Sequence, residues 1–232
     1  MKQVLTALKS FMPAKIIQSQ LHRRVFTQFA EKLGFVYFGY VDQREDEHRL
    51  VRGLTVSGTH RDNHYCIGSF NGYDVTIVER TDTLHFPGKP SKNHTWIIMA
   101  FDLHSIRDLP HVFMGLHTHS DTFYSHLFTK FAHLTRVPLA AAGTYEARFL
   151  QHNTLYSEPS QFHAVESLIT PDVAKIVSDH FGSLTFELIE NCLYVYTEHQ
   201  LPTPQLLERM IKNGAWLARV IDDAGTEKET PA

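Results

Sequence analysis

Cysteine is scarce in this chain. Cys66 and Cys192 are the only two in 232 residues. They lie far apart and match no CxxC or Cys/His zinc spacing, which excludes a disulfide framework and a zinc ribbon and points to free thiols in a reducing compartment. Long apolar runs are missing too: none approaches the roughly 18–20 residues of a spanning helix. The N-terminal stretch MKQVLTALKSFMPAK is interrupted by Lys9 and Lys15 before a signal-peptide core could form. These absences predict a soluble, cytoplasmic protein without a membrane span. Charge of one sign is also lacking, with 22 Lys and Arg against 25 Asp and Glu, so no basic field draws the chain to nucleic acid or an anionic membrane. No P-loop, dinucleotide fingerprint, GxSxG or HExxH appears, and no repeat of fixed period.

What is present suits a folded domain. An apolar fraction of 43% with 20% charged residues is ordinary for a globular protein. The length fits one large domain, here 1–222, with a sub-division near 136–144 compatible with it and a flexible tail over 223–232. Sixteen histidines are a surplus that asks for an explanation.

The clearest local signal is HYCIGSFNGYDVTIVER, residues 64–80. Asn71-Gly72 between alternating apolar runs predicts a two-residue hairpin with Phe70 facing Tyr73, Gly68 facing Val75, Cys66 facing Ile77 and His64 facing Glu79. Upstream, the spacing of Ile16, Ile17, Leu21, Phe26, Phe29, Ala30 and Leu33 predicts an amphipathic helix over 13–33, stopped by Gly34. Strands are expected at 35–41 and 49–56, and a loop at 81–94. TWIIMAFDL, 95–103, is apolar on both faces, as a doubly covered central strand requires.

A further strand is expected at 111–118, a helix capped by Ser120 or Asp121 running to Ala132, and a strand at 145–150 followed by a polar turn near Tyr156. Thr170-Pro171-Asp172 opens a helix stopped by Gly182, with Val173, Ile176, Val177 and Phe181 on its buried side. A second hairpin turns at Glu190-Asn191, with Leu188 facing Leu193 and Phe186 facing Val195. Tyr194 and Tyr196 fall on its less apolar face, either packed under another element or exposed as a recognition surface. A helix over 204–222 closes the chain. The order predicts an α+β fold: a mainly antiparallel sheet with an N-terminal amphipathic helix, two or three internal helices and a C-terminal helix.

The sharpest chemical motif is His117-Thr118-His119-Ser120-Asp121. Two histidines at i and i+2 on a strand share a face, and Asp121 adds a third metal ligand or a base. The string resembles the HxH motif of polymerase-and-histidinol-phosphatase-type phosphoesterases, and Ser178-Asp179-His180 echoes a late ligand motif of that family. That resemblance implies a divalent-metal-dependent hydrolase. Those barrels begin with their HxH, whereas half of this chain precedes it, and Ser178-Asp179-His180 falls inside a capped helix.

A broader resemblance covers about residues 50–222. Arg52-Gly53, Leu109-Pro110, Tyr145-Glu146-Ala147-Arg148-Phe149, Leu168-Ile169-Thr170-Pro171 and Leu193-Tyr194-Val195-Tyr196 are similar to a broad bacterial family of unknown function. It implies an α+β domain, membrane-attached in some relatives, with no catalytic residues to carry over. The expected function is therefore a non-catalytic interaction or regulatory module with no cofactor. It would meet an unidentified protein partner through its N-terminal helix or an exposed sheet edge. The alternatives are a metal hydrolase using His117, His119 and Asp121, and a small-molecule binding protein.

Overall fold

The computed structural model describes residues 14–41, 51–84, 88, 90–105, 108–128, 130–139 and 142–226. Helix α1, Ala14–Leu33, leads into β1, Val36–Tyr40. Strands β2 (Arg61–Phe70), β3 (Tyr73–Leu84) and β4 (Lys92–Asp102) follow as a meander. The second half supplies β5 (Val112–Leu116), β6 (Thr135–Arg136), β7 (Asn153–Ser157), β8 (Thr185–Ile189) and β9 (Cys192–Glu198). All nine join one sheet of order β1-β2-β3-β4-β9-β8-β5-β7-β6, and every neighbouring pair is antiparallel. The remaining helices are α2 (Asp121–Leu127), α3 (Ala147–His152), α4 (Phe162–Leu168), α5 (Pro171–His180) and α6 (Pro204–Thr226). The fold is α+β.

Both predicted hairpins form with the expected registers. Phe70 pairs with Tyr73, Gly68 with Val75 and Cys66 with Ile77. Leu188 pairs with Leu193, and Phe186 with Val195. Asn71 and Gly72 take φ of 52° and 90°, the left-handed pair that matches the twist of the flanking strands. The open end of the first hairpin differs. A bulge between Asn63 and Cys66 sets Asn63, not His64, opposite Glu79, and His64 absorbs the extra residue at φ 58°.

One face of the sheet carries α1, α6 and the short helices α3, α4 and α5. Phe26, Phe29 and Ala30 of α1 and Leu207, Met210, Ile211 and Ala218 of α6 bury there against Cys66, Val75, Ile77, Ile97 and Met99. The other face holds an aromatic core of Tyr65, Trp96, Phe113, Tyr124, Phe128, Phe131, Tyr156, Tyr194 and Tyr196, roofed by Val51 and Leu54. β4 lies between the two, buried on both sides as its sequence requires.

Several expectations are corrected. Residues 51–56 are irregular, not a strand, because their backbone groups bond to buried side chains instead of to a ladder, as described below. Residues 49 and 50 of that predicted strand, Pro13, and the side chains of Ile16 and Ile17 lie outside the described residues. β3 and β4 run into the expected 81–94 loop, pairing as far as Leu84 with Lys92. Residues 147–152 are helical, and the strand comes after them: Tyr156 pairs with Phe113 in mid-sheet. The helix at 121 stops at Leu127, and a single 3₁₀ turn follows at Phe131–His133. α6 continues to Thr226, into the expected tail. Leu21 and Ile176, read as buried, are exposed, and Val36, Phe38 and Tyr40 stand exposed along edge strand β1. No helix among the described residues is long and apolar enough to cross a membrane.

Candidate functional site

The aromatic face of the sheet contains buried ions, and the irregular segment 51–56 exists to satisfy them. Arg80 of β3 has no solvent exposure. Its Nε and Nη2 donate to the two carboxylate oxygens of Asp62 at 2.7 and 2.6 Å, Nη1 donates to Thr55 Oγ1 at 2.8 Å, and Nη2 donates to the Val51 carbonyl at 2.7 Å. A buried guanidinium requires such a set, because an unpaired charge in the interior costs several kcal/mol.

Beside it, Glu187 of β8 is also fully buried. The Leu54 N–H donates to its Oε2 at 2.8 Å, the Tyr196 hydroxyl donates to the same oxygen, and His111 Nε2 stands 2.9 Å from Oε1. Burial first, and then the neighbouring carboxylate, raise the Tyr196 phenol well above its ordinary value, so it remains a donor. The segment can approach this closely only through Gly53. A Cβ there would sit 2.6 Å from Glu187 Oε2 and 2.7 Å from Tyr196 Oη, and φ is +86°.

Glu187 and His111 form the floor of a cleft of about 460 Å³. Leu54, Val56 and Ile189 line it with apolar surface, and Arg52, Lys130, His133 and Glu190 give it a mainly cationic rim. Two rim pairings are loose: Arg52 to Glu190 at 3.8 Å and His133 to Glu158 at 3.9 Å. None of the described lining residues is Ser, Thr or Cys, so among them no hydroxyl or thiol nucleophile stands beside the His–Glu pair.

The HxH residues are sent elsewhere. β5 ends at Leu116, so His117 and His119 lie in a turn and do not share a strand face. His117 Nδ1 is 3.4 Å from Thr154 Oγ1. His119 stacks on Phe123 with ring centroids 4.1 Å apart and places Nε2 3.4 Å from Glu198. Asp121 accepts hydrogen bonds from Tyr156 at 2.7 Å and from Arg136 at 2.9 Å. Burial opposes its ionisation, but those two partners outweigh burial and hold its carboxyl below the ordinary value. Among the described residues no group of three or more His, Cys, Asp or Glu is placed to hold a metal ion. Asp179, of the late motif, pairs with Arg148 and Lys175 on the surface.

The histidine surplus has a structural answer. Among the described residues, seven histidines lie within 4.0 Å of a carboxylate, mostly at the ends and rims of the sheet. His94 and His119 both face Glu198, at 3.5 and 3.4 Å, and the ring of His199 lies 4.0 Å from that of His94. Both cysteines are free, and burial pushes each thiol up to about 12, which removes them as nucleophiles at neutral pH.

Two of these histidines set an acid limit on stability. Burial, reinforced by His94 and Lys92 and opposed by Glu198, lowers the pKa of His199. Burial also lowers that of His64, outweighing the attraction of Glu79. A histidine whose folded pKa lies below its ordinary 6.5 binds fewer protons folded than unfolded, so its share of stability is complete above that pH and is lost as pH falls through the folded value. Urea midpoints measured from pH 7.5 downwards should fall below pH 6.5, and His64→Gln and His199→Gln should each flatten that fall.

Glu187 and His111 were not legible as a pair. Glu187 sits opposite Tyr194 on the face of the second hairpin that the sequence leaves half polar, and only the cover of 51–56 makes it buried. Its one signal is a lone carboxylate in the apolar strand TFELI.

No family model matches the chain, and no curated protein matches it. Among solved structures it is similar to the mycobacterial trehalose monomycolate transport factor A, TtfA, with a TM-score of 0.56 at 13% identity over 88% of this chain and 93% of that one, a likeness of fold.

Proposed function

We propose that the chain is a non-catalytic binding module, and that the cleft above Glu187 and His111 receives a small organic anion with an apolar portion. The observation that carries this reading is a concave site of about 460 Å³ with a fixed polar floor, three apolar wall residues and a cationic rim, the mixture typical of small-molecule sites. Glu187 is fully buried with its oxygens taken by Leu54, Tyr196 and His111, so an acidic ligand meets the rim cations Arg52 and Lys130 rather than an open carboxylate. Arg52 is held only by a 3.8 Å contact, and Lys130 stands exposed at the same mouth. The lack of a hydroxyl or thiol among the described lining residues supports binding rather than acyl transfer to the protein. At the level of fold, likeness to a protein named as a transport factor agrees with that. Two free thiols support a reducing, cytoplasmic setting. The expected protein partner has its support at the open edge of β1, where Val36, Phe38 and Tyr40 are exposed.

Calorimetric titration with octanoate and phenyl phosphate tests the ligand class. At least one should bind saturably, and an Arg52→Ala/Lys130→Ala variant should bind about tenfold more weakly or worse with an unchanged melting temperature. Failure of both anions to bind, or binding indifferent to the two substitutions, would overturn the reading.

A further inference from the structure

A second cleft, of about 310 Å³, opens where α1 crosses β2, β3 and β4. Gln18, Ser19, His22, Asn63, His64, Glu79, Thr81 and Thr95 line it, and every one is polar. It lies on the helix-bearing face of the sheet, away from the cleft floored by Glu187. We propose that it binds an uncharged polyhydroxylated ligand, a sugar or cyclitol.

Three observations converge here. His64 holds φ 58° inside β2, a left-handed conformation that is strained for a non-glycine residue and collects at ligand sites. The bulge aims its ring between Phe26, with which it stacks at 5.1 Å, and Glu79, while Nδ1 meets the Tyr37 hydroxyl at 2.8 Å. Second, His22 Nδ1 is fixed on Glu79 Oε1 at 2.7 Å, yet its Nε2 is buried with no hydrogen-bond partner among the described residues, a deficit that buried polar atoms rarely carry. Third, His64 Nε2 and Glu79 Oε2 face one another at 3.6 Å, too far for a hydrogen bond. A hydroxyl oxygen seated beside the pair, at about 2.8 Å from each, can accept from one and donate to the other.

Charge and hydrogen-bond roles select the class. Among the described residues one carboxylate lines the cleft, Glu79, with His22 Nδ1 at 2.7 Å from it, and no Lys or Arg does. Arg23 acts on His64 only as the least of its influences. An anion therefore finds no Lys or Arg among the described lining residues, and a cation finds a single carboxylate already in contact with His22. Two amides, three hydroxyls, two imidazoles and a carboxylate offer donors and acceptors together, and a hydroxyl, one donor with two lone pairs, is the group that uses both.

The test is nitrogen-edited NMR of the histidine rings in the full chain, titrated with D-glucose and myo-inositol, and with acetate and putrescine as charged controls. In parallel, the chain is co-sedimented with phosphatidylcholine vesicles with and without a galactolipid. The expected result is saturable movement of the His22 and His64 signals with a polyol and not with either ion, at millimolar affinity or tighter. Each lost hydroxyl in a Thr81→Val/Thr95→Val variant should weaken binding about fivefold. Arg52→Ala/Lys130→Ala should bind unchanged, which separates this site from the other cleft. Binding of free polyols assigns a soluble ligand, and binding only to galactolipid vesicles assigns a lipid-borne sugar. No response to any polyol or galactolipid, an equal response to the ions, or indifference to the threonine substitutions overturns the proposal.

Discussion

An Asp62→Ala variant is expected to lose about 3–5 kcal/mol of folding free energy, because it leaves a buried guanidinium without its counterion. Arg80 is wholly buried and Asp62 nearly so, and Asp62 supplies two of the four hydrogen bonds to Arg80. The others, to Thr55 and the Val51 carbonyl, are neutral and cannot balance the charge. At about 2–4 °C per kcal/mol for a chain of this size, the melting temperature should drop on the order of 10 °C. The decisive comparison is Asp62→Ala/Arg80→Met. With both charges removed, the double variant should be more stable than Asp62→Ala alone, since an apolar replacement of a buried pair is often neutral. If the single variant melts within a degree or two of the parent, the ion pair does not anchor segment 51–56.

A Glu187→Ala variant is expected to have an effect of similar size, about 3–5 kcal/mol, through a different failure. Three donors converge on this carboxylate: the Leu54 N–H, the Tyr196 hydroxyl and His111 Nε2. Removing it orphans all three in a buried place. Glu187→Gln keeps the shape but turns an amide N–H₂ towards one of those donors, so its loss should be smaller, about 1–3 kcal/mol. Denaturant unfolding measures both. Hydrogen exchange at the Leu54 amide reads the site directly: it should accelerate in Glu187→Ala by far more than amides in the β1–β2 ladder. Equal acceleration everywhere would mean that only global stability had changed, and that Glu187 does not pin the wall of the cleft.

Both predictions concern a segment whose form the sequence did not disclose. Within residues 51–56, Leu54 and Val56 stand two apart, the spacing of one face of a short strand. A strand needs a partner edge, however, and Arg80 and Glu187 bind this backbone instead. The same limit hid the site. In TFELI and CLYVYTE, alternation separates an apolar face from one bearing Glu187, Tyr194 and Tyr196, and local pattern leaves the second face either solvated or covered. Tyr194 and Tyr196 are in fact buried, at 5% and 1% exposure. The HxH string failed for a related reason. Its shared-face argument holds only on a strand, and β5 ends one residue before His117.

Local chemistry was sufficient where short-range sterics decide. Asn71-Gly72 and Glu190-Asn191 set two hairpins in register, because left-handed turn positions and side-chain alternation admit one pairing. Thr170-Pro171 and Gly182 bound α5, and the doubly apolar 95–103 gives a central strand. By itself the sequence determined the α+β class, the antiparallel sheet, and the burial of Cys66 between Val75 and Ile77. Tertiary structure alone decided what those elements enclose. Contacts between residues more than a hundred positions apart, such as Leu54 with Glu187, carry no periodic signal. A buried charge is recognisable as such only once the partners that neutralise it have been brought around it.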